Sequence, residues 1–143
     1  MEEIDYHWKC QLNGYEIWVE PNAVVYHHGA TTLPLSSPRK TYFNYRNSLL
    51  LLLTNYPLAA SFRLFFPRIF MEFISLLKEI LFFKWGHALA ILKSWGWILV
   101  NWRIVSKRRQ LFIACSVSIP KIIYQHSIVD KYFLQGKKYY YNL

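Results

Sequence analysis

Apolar residues recur at helical spacing from the start of the chain. Ile4, Trp8 and Leu12 stand four apart, which places them on one face of a helix over residues 2–13. Glu2, Glu3 and Asp5 suit the positive end of that helix, and Asn13-Gly14 supplies a stop. The period then changes. Tyr15-Glu16-Ile17-Trp18-Val19-Glu20 alternates and predicts a strand, Pro21-Asn22 turns the chain, and Ala23-Val24-Val25-Tyr26-His27 predicts a second short strand. His28 to Thr32 leaves it as a loop. Residues 33–40, with Pro34, Ser36, Ser37, Pro38, Arg39 and Lys40, continue as a basic loop: a lid over an anionic ligand, or simply a connection.

The second half is helical in period. Tyr42 to Tyr56 predicts a helix stopped by Pro57, and Leu49 to Leu53 make it apolar nearly all round. Arg46 in such a helix calls for an anionic partner, a carboxylate of the chain or a ligand phosphate. Pro67 suits the first position of a further helix. Its polar residues Arg68, Glu72, Ser75 and Glu79 form a narrow stripe, and its apolar face is wider than one small core needs. Gly86 predicts a break. Another helix follows from about His87 to Val105, with Trp95, Trp97 and Trp102, and basic residues gather at its end: Arg103, Lys107, Arg108 and Arg109. Tryptophan at an apolar boundary beside such a cluster suits a helix lying in an anionic membrane interface, with Lys107, Arg108 and Arg109 on the headgroups. An aromatic core with a solvated basic end is the alternative.

Composition sharpens this division. The chain has 143 residues, with 54% hydrophobic and 19% aromatic positions. Residues 1–38 hold five acids and one base, whereas residues 39–143 hold sixteen bases and three acids. A basic tail favours phosphate-bearing partners. Cys10 and Cys115 make no disulfide framework, which agrees with a cytoplasmic setting. The acidic start is unlike a signal peptide, and no window offers the roughly 18 uninterrupted apolar residues of a membrane span. The basic-aromatic tail beyond Lys121 raises nucleic-acid binding, but no recognition motif supports it, so nucleic acid is not an expected partner.

Candidate chemistry lies in the first half. A carboxylate pair, Glu2-Glu3, opens a helix, and a strand-like run ends in His27-His28-Gly29. Acids in a first helical turn also serve as plain dipole partners, and a loop histidine as a hydrogen-bonded surface group. The run Glu2-Glu3-Ile4-Asp5-Tyr6-His7-Trp8-Lys9, then Gly14-Tyr15-Glu16-Ile17, then Pro21 to Gly29, resembles the C-terminal half of family 2 glycosyltransferases. Leu33-Pro34, Ser37 to Tyr42, Tyr45 to Leu50, and the stretch from Ser127 to Lys138 extend the likeness. Within that family the chain looks like rhamnosyltransferase-type proteins of bacterial cell-surface polysaccharide assembly.

The resemblance implies an α/β fragment: the C-terminal part of a GT-A fold in residues 1–40, followed by a helical, membrane-associated region in residues 41–143. It implies inverting sugar transfer from a nucleotide-sugar donor to a glycan or lipid-linked acceptor, on the cytoplasmic face of the bacterial inner membrane. Glu3 is then the general base that takes the acceptor proton, with Glu2 orienting it. His27 matches the histidine that helps hold a divalent metal (Mg or Mn) on the donor diphosphate, and the metal offsets charge on the departing nucleotide. Arg39, Lys40 and Arg46 fall where a diphosphate or lipid-linked acceptor would be met. The chain departs from the family in three places. Lys9 stands where arginine is usual, and Ala30 replaces a glycine. The only aspartates are Asp5 and Asp130, so no D-x-D metal motif exists. The expectation is a chain truncated at an internal Met and inactive alone. A non-enzymatic membrane-surface remnant is the alternative.

Overall fold

A computed structural model describes residues 2–26, 34, 36–115, 128–133 and 135–137. Its elements are α1 (Glu2–Leu12), α2 (Pro38–Asn55), α3 (Leu58–Leu81), α4 (Trp85–Val100), α5 (Trp102–Cys115) and α6 (Ile128–Phe133). α2 is the centre, and α1, α3, α4 and α5 all pack on it. One core cluster joins Leu49 and Leu50 of α2 to Ile98 and Val105, with Phe65, Ile69, Trp95 and Trp97 around it. A second joins Leu76, Ala88 and Ile91, with Tyr45, Ile80 and Trp95 beside them.

The described residues form an all-helical domain, which corrects the expectation of an α/β fragment with GT-A strands. Tyr15 to Glu20 and Ala23 to Tyr26 are not strands. A strand is completed by a neighbour that takes its amides and covers one face. Neither run has such a neighbour among the described residues, and Trp18 and Tyr26 remain 84% and 95% exposed. What holds the segment is local: Ala23 N–H donates to the Glu20 carbonyl at 3.1 Å, and Asn22 N–H to the Glu20 carboxylate at 2.9 Å.

Helix boundaries also shift. α2 starts at Pro38 rather than Tyr42, because proline is preorganised for the first helical position. So Arg39 and Lys40 stand on its first turn rather than in a loop. α3 begins at Leu58 and runs through Pro67, which therefore does not start it. The Arg63 carbonyl loses its usual amide partner there, but Arg63 and Pro67 both face solvent. Gly86 lies inside α4 rather than breaking a helix, and its bare Cα meets Pro38: an added Cβ would come 3.0 Å from the proline ring. Beside that contact, Thr41 Oγ1 and His87 Nδ1 lie 2.8 Å apart, tying α2 to α4. The helix expected from His87 to Val105 is two helices, divided at Asn101, whose side chain donates to the Trp97 carbonyl at 2.9 Å.

α3 faces an unusual way. Glu72, in the middle of its polar stripe, points into the molecule. Glu72 is only 2% exposed and accepts hydrogen bonds from Arg68 Nε at 2.7 Å and Trp95 Nε1 at 2.5 Å. A buried carboxylate needs such partners. Phe62, Phe66, Phe70, Phe73, Leu77 and Leu81, at helical spacing along the opposite face, are exposed.

Candidate functional site

α1 carries the carboxylate motif, and its docking decides where that motif stands. Gly14, at φ 82°, ends the helix in the left-handed region, and Tyr15 N–H donates to the Cys10 carbonyl at 3.0 Å. Leu12 is buried, and the Trp8 ring meets Tyr56 edge-on, with centroids 4.8 Å apart. That packing pushes the Tyr56 phenol above its ordinary pKa by burial. The buried Trp8 indole N–H has no hydrogen-bond partner among the described residues, a small cost of the same contact.

Asp5 is the polar centre of the docked helix. Asn55 Nδ2 donates to its Oδ1 at 2.8 Å. Its other oxygen takes a hydrogen bond from Lys9 and faces Arg108 of α5 at 3.6 Å. Burial alone would raise the Asp5 pKa. The hydrogen bonds from Lys9 and Asn55 and the charges of Lys9 and Arg108 outweigh it, so the carboxyl lies below its usual 3.8. The sign follows from linkage. A depressed folded pKa stabilises the docked helix at all pH values above the unfolded pKa, and that stabilisation is lost as pH falls through the folded one. NMR titration of Asp5 is expected to give a midpoint below 3.8, with the Trp8 indole signal shifting in step. In Asp5→Asn the Trp8 signal should not move over that range. A midpoint at or above the ordinary value would show that α1 does not dock this way.

The motif residues are thereby separated. Glu2 and Glu3 stand on the first turn of α1, and the Glu3 side chain is exposed. Asp5, two residues on, meets Asn55 at the C-terminal end of α2. Arg39 and Lys40 stand at the other end of α2, about 24 Å away along an axis rising ~1.5 Å per residue. Arg46 lies between. The structure therefore does not bring the candidate base to the candidate diphosphate contacts.

Arg46 meets the demand for a partner without a carboxylate. Its guanidinium carbon lies 5.3, 4.9 and 5.1 Å from the ring centroids of Tyr42, Phe43 and Trp97. Asn47 Oδ1 accepts from Nε at 3.0 Å and Nη2 at 2.9 Å. Cation–π contact with three rings offsets part of the desolvation of the charge. The Arg39 guanidinium carbon, 5.7 Å from the Phe43 ring centroid, extends this arrangement towards the start of α2. The result is a preorganised basic and aromatic face on α2.

The three basic residues expected on a membrane surface take different positions. Lys107 is exposed, Arg108 faces Asp5, and Arg109 turns inward. Arg109 donates to the Leu53 carbonyl at 2.5 Å and the Tyr56 carbonyl at 3.0 Å, with the Ser61 hydroxyl at 3.3 Å. His27 lies outside the described residues. Among the described residues no three His, Cys, Asp or Glu side chains form a group for a metal ion.

Sequence reasoning passed over Asp5, Asn55 and the Glu72–Trp95 pair. Asp5 was readable only as one more acid of the first turn. Glu72 carried a signal, since it lies at the centre of a polar stripe on an otherwise apolar helix.

Compared with known proteins, the chain matches no protein family, no curated protein and no solved structure.

Proposed function

We propose that this chain works at an anionic membrane surface in sugar transfer of the family 2 glycosyltransferase type. The observation that carries the surface part is the orientation of α3. It buries Glu72 and exposes Phe62, Phe66, Phe70 and Phe73, with Phe82 and Phe83 just beyond it. Exposed apolar surface on this scale marks an interaction face. Arg63, Lys78, Lys84, Lys93, Arg103 and Lys107 are exposed within residues 58–115, so an anionic lipid surface is the complementary partner. No described helix is long and apolar enough to cross a membrane, so the contact proposed is interfacial.

The transfer part rests on the motif resemblance of residues 1–56. In its favour, Glu3 is an exposed carboxylate on a helix docked through Asp5 and Trp8, open to an acceptor hydroxyl. The role proposed for Glu3 is to accept the proton of the attacking hydroxyl. The aromatic face holding Arg46 and Arg39 is proposed to meet the phosphate groups of a lipid-linked acceptor.

Flotation with vesicles containing phosphatidylglycerol tests the surface reading. The chain is expected to float with them, to stay behind with purely zwitterionic vesicles, and to release as salt rises and the ~8–10 Å screening length of 0.1–0.15 M salt shortens. Binding that is equal on both vesicles and indifferent to salt overturns the basic-surface account.

For transfer, the chain lacks a D-x-D motif, so alone it is expected to turn over no nucleotide sugar. Mixed with a separate donor-binding chain, it is expected to support transfer to a lipid-linked acceptor. Glu3→Gln should lower that transfer by about 100-fold or more, the usual contribution of a positioned base. Full transfer by Glu3→Gln would remove Glu3 from the reaction.

A further inference from the structure

A cavity of about 280 Å³ opens between α1, the C-terminal end of α2 and α5. Leu12, Leu111 and Phe112 give it apolar walls, and Lys9 and Arg108 bring two cations to its lining. We propose that it binds a single-chain lipid phosphate, with the alkyl chain between those three apolar residues and the phosphate on Arg108 and Lys9.

Charge is the first argument. The two cations share one carboxylate, Asp5, so the lining keeps an excess positive charge. The Arg108 contact, at 3.6 Å, is longer than a hydrogen bond, which leaves a planar donor fork suited to phosphate. Satisfaction of the neutral polar groups is the second. Thr54 Oγ1 donates to the Leu50 carbonyl at 2.8 Å, Asn55 Nδ2 to Asp5 at 2.8 Å, and Asn13 Nδ2 to the Lys9 carbonyl at 2.8 Å. A sugar would find few open partners there, whereas an alkyl chain needs none. Size is the third. The cavity lies just under the ~300–1,000 Å³ typical of ligand pockets, which suits one slender chain and not a nucleotide sugar. The proposal needs only the cavity and its two cations, and it stands or falls apart from the sugar-transfer reading.

Calorimetry of the full chain with n-decyl phosphate, kept below its micelle concentration, tests it. Saturable binding of one molecule per chain is expected. Inorganic phosphate and neutral decyl glucoside should each bind at least ten-fold more weakly. Arg108→Gln should weaken decyl phosphate binding at least ten-fold. Leu111→Trp, which fills the cavity from an exposed position, should do the same. Lys93→Gln, an exposed cation on α4 away from the cavity lining, should leave it unchanged. Equal binding of decyl glucoside would reduce the site to a grease slot. Equal binding of inorganic phosphate would make it a free-anion site. No saturable binding, or a loss with Lys93→Gln matching that of Arg108→Gln, also overturns the proposal. If Arg108→Gln lowers the helical circular dichroism signal, Leu111→Trp decides the matter.

Discussion

Arg109→Met is expected to destabilise the fold by about 3–5 kcal/mol, since each of its three part-buried acceptors left without a charged donor costs ~1–3 kcal/mol. The last four carbonyls of a helix have no partner within it. In α2 the Leu52 carbonyl lies 3.1 Å from the Ser61 hydroxyl, and the Leu53 carbonyl receives the Arg109 guanidinium. The same guanidinium reaches the Tyr56 carbonyl just beyond the helix end. One side chain of α5 thus satisfies the end of α2 and the turn into α3, and its positive charge complements the helix dipole. Methionine keeps much of the stem's packing and removes every donor. Thermal unfolding should fall by roughly 10 °C, taking ~2–4 °C per kcal/mol for domains somewhat larger than this. Arg109→Lys should recover only part of the loss, because an ammonium group lacks the planar fork that spans separate acceptors. Lys107→Met, two residues earlier on an exposed position, should change stability by no more than ~0.5 kcal/mol. Equal melting curves for the two methionine variants would refute the inward role of Arg109.

The second large effect lies on the outward face of α3. Replacing Phe66, Phe70 and Phe73 together by serine is expected to reduce binding to anionic vesicles by about 1,000-fold. A fully buried phenylalanine contributes ~1.5–3 kcal/mol. Counting each ring at the low end gives roughly 4.5 kcal/mol, or three decades at ~1.4 kcal/mol per decade. Phe66 is 69% exposed, and the other two rings also face outward, so none is a core residue. The triple variant should therefore unfold at or above the temperature of the parent chain. Leu76→Ala, on the buried face of the same helix, should do the reverse: lower stability by ~2–5 kcal/mol and leave the outward face intact. A triple variant that unfolds readily yet still floats would show that this face packs within the protein.

These expectations depend unequally on what can be read along the chain. The helix over residues 2–13 is legible because Ile4, Trp8 and Leu12 keep its period and Gly14 ends it. α2 is legible apart from its first turn, since Pro57 marks its end. The two expected strands do not form, for a physical reason. Alternation describes which side chains share a face, but a strand exists only if another backbone accepts its amides. Tyr15 to Tyr26 has no such backbone beside it among the described residues. Pro67 misled in the other direction: it is common at a helix start, yet a solvent-facing proline is tolerated within a long helix whose other turns pack well.

The candidate site divides in the same way. That Arg46 needed a counterpart followed from its place in an apolar helix. That the counterpart is three aromatic rings and an amide depended on Trp97, fifty-one residues later, arriving from α4. Lys107, Arg108 and Arg109 formed one basic cluster as sequence and serve three different positions as structure, because a helix turns about 100° per residue.

Periodicity, terminators and charge by themselves determined the helical second half, the wide apolar surface and the contrast between an acidic head and a basic tail. They also determined which residues of α3 lie together on one stripe. Only the tertiary structure decided that Glu72, in the middle of this stripe, is buried. α3 has more apolar surface than the core of this small domain can take up, so its own pattern cannot choose which side is covered. Trp95 of α4 makes the choice, by offering an indole N–H to Glu72 where an apolar neighbour would have turned that carboxylate out to water.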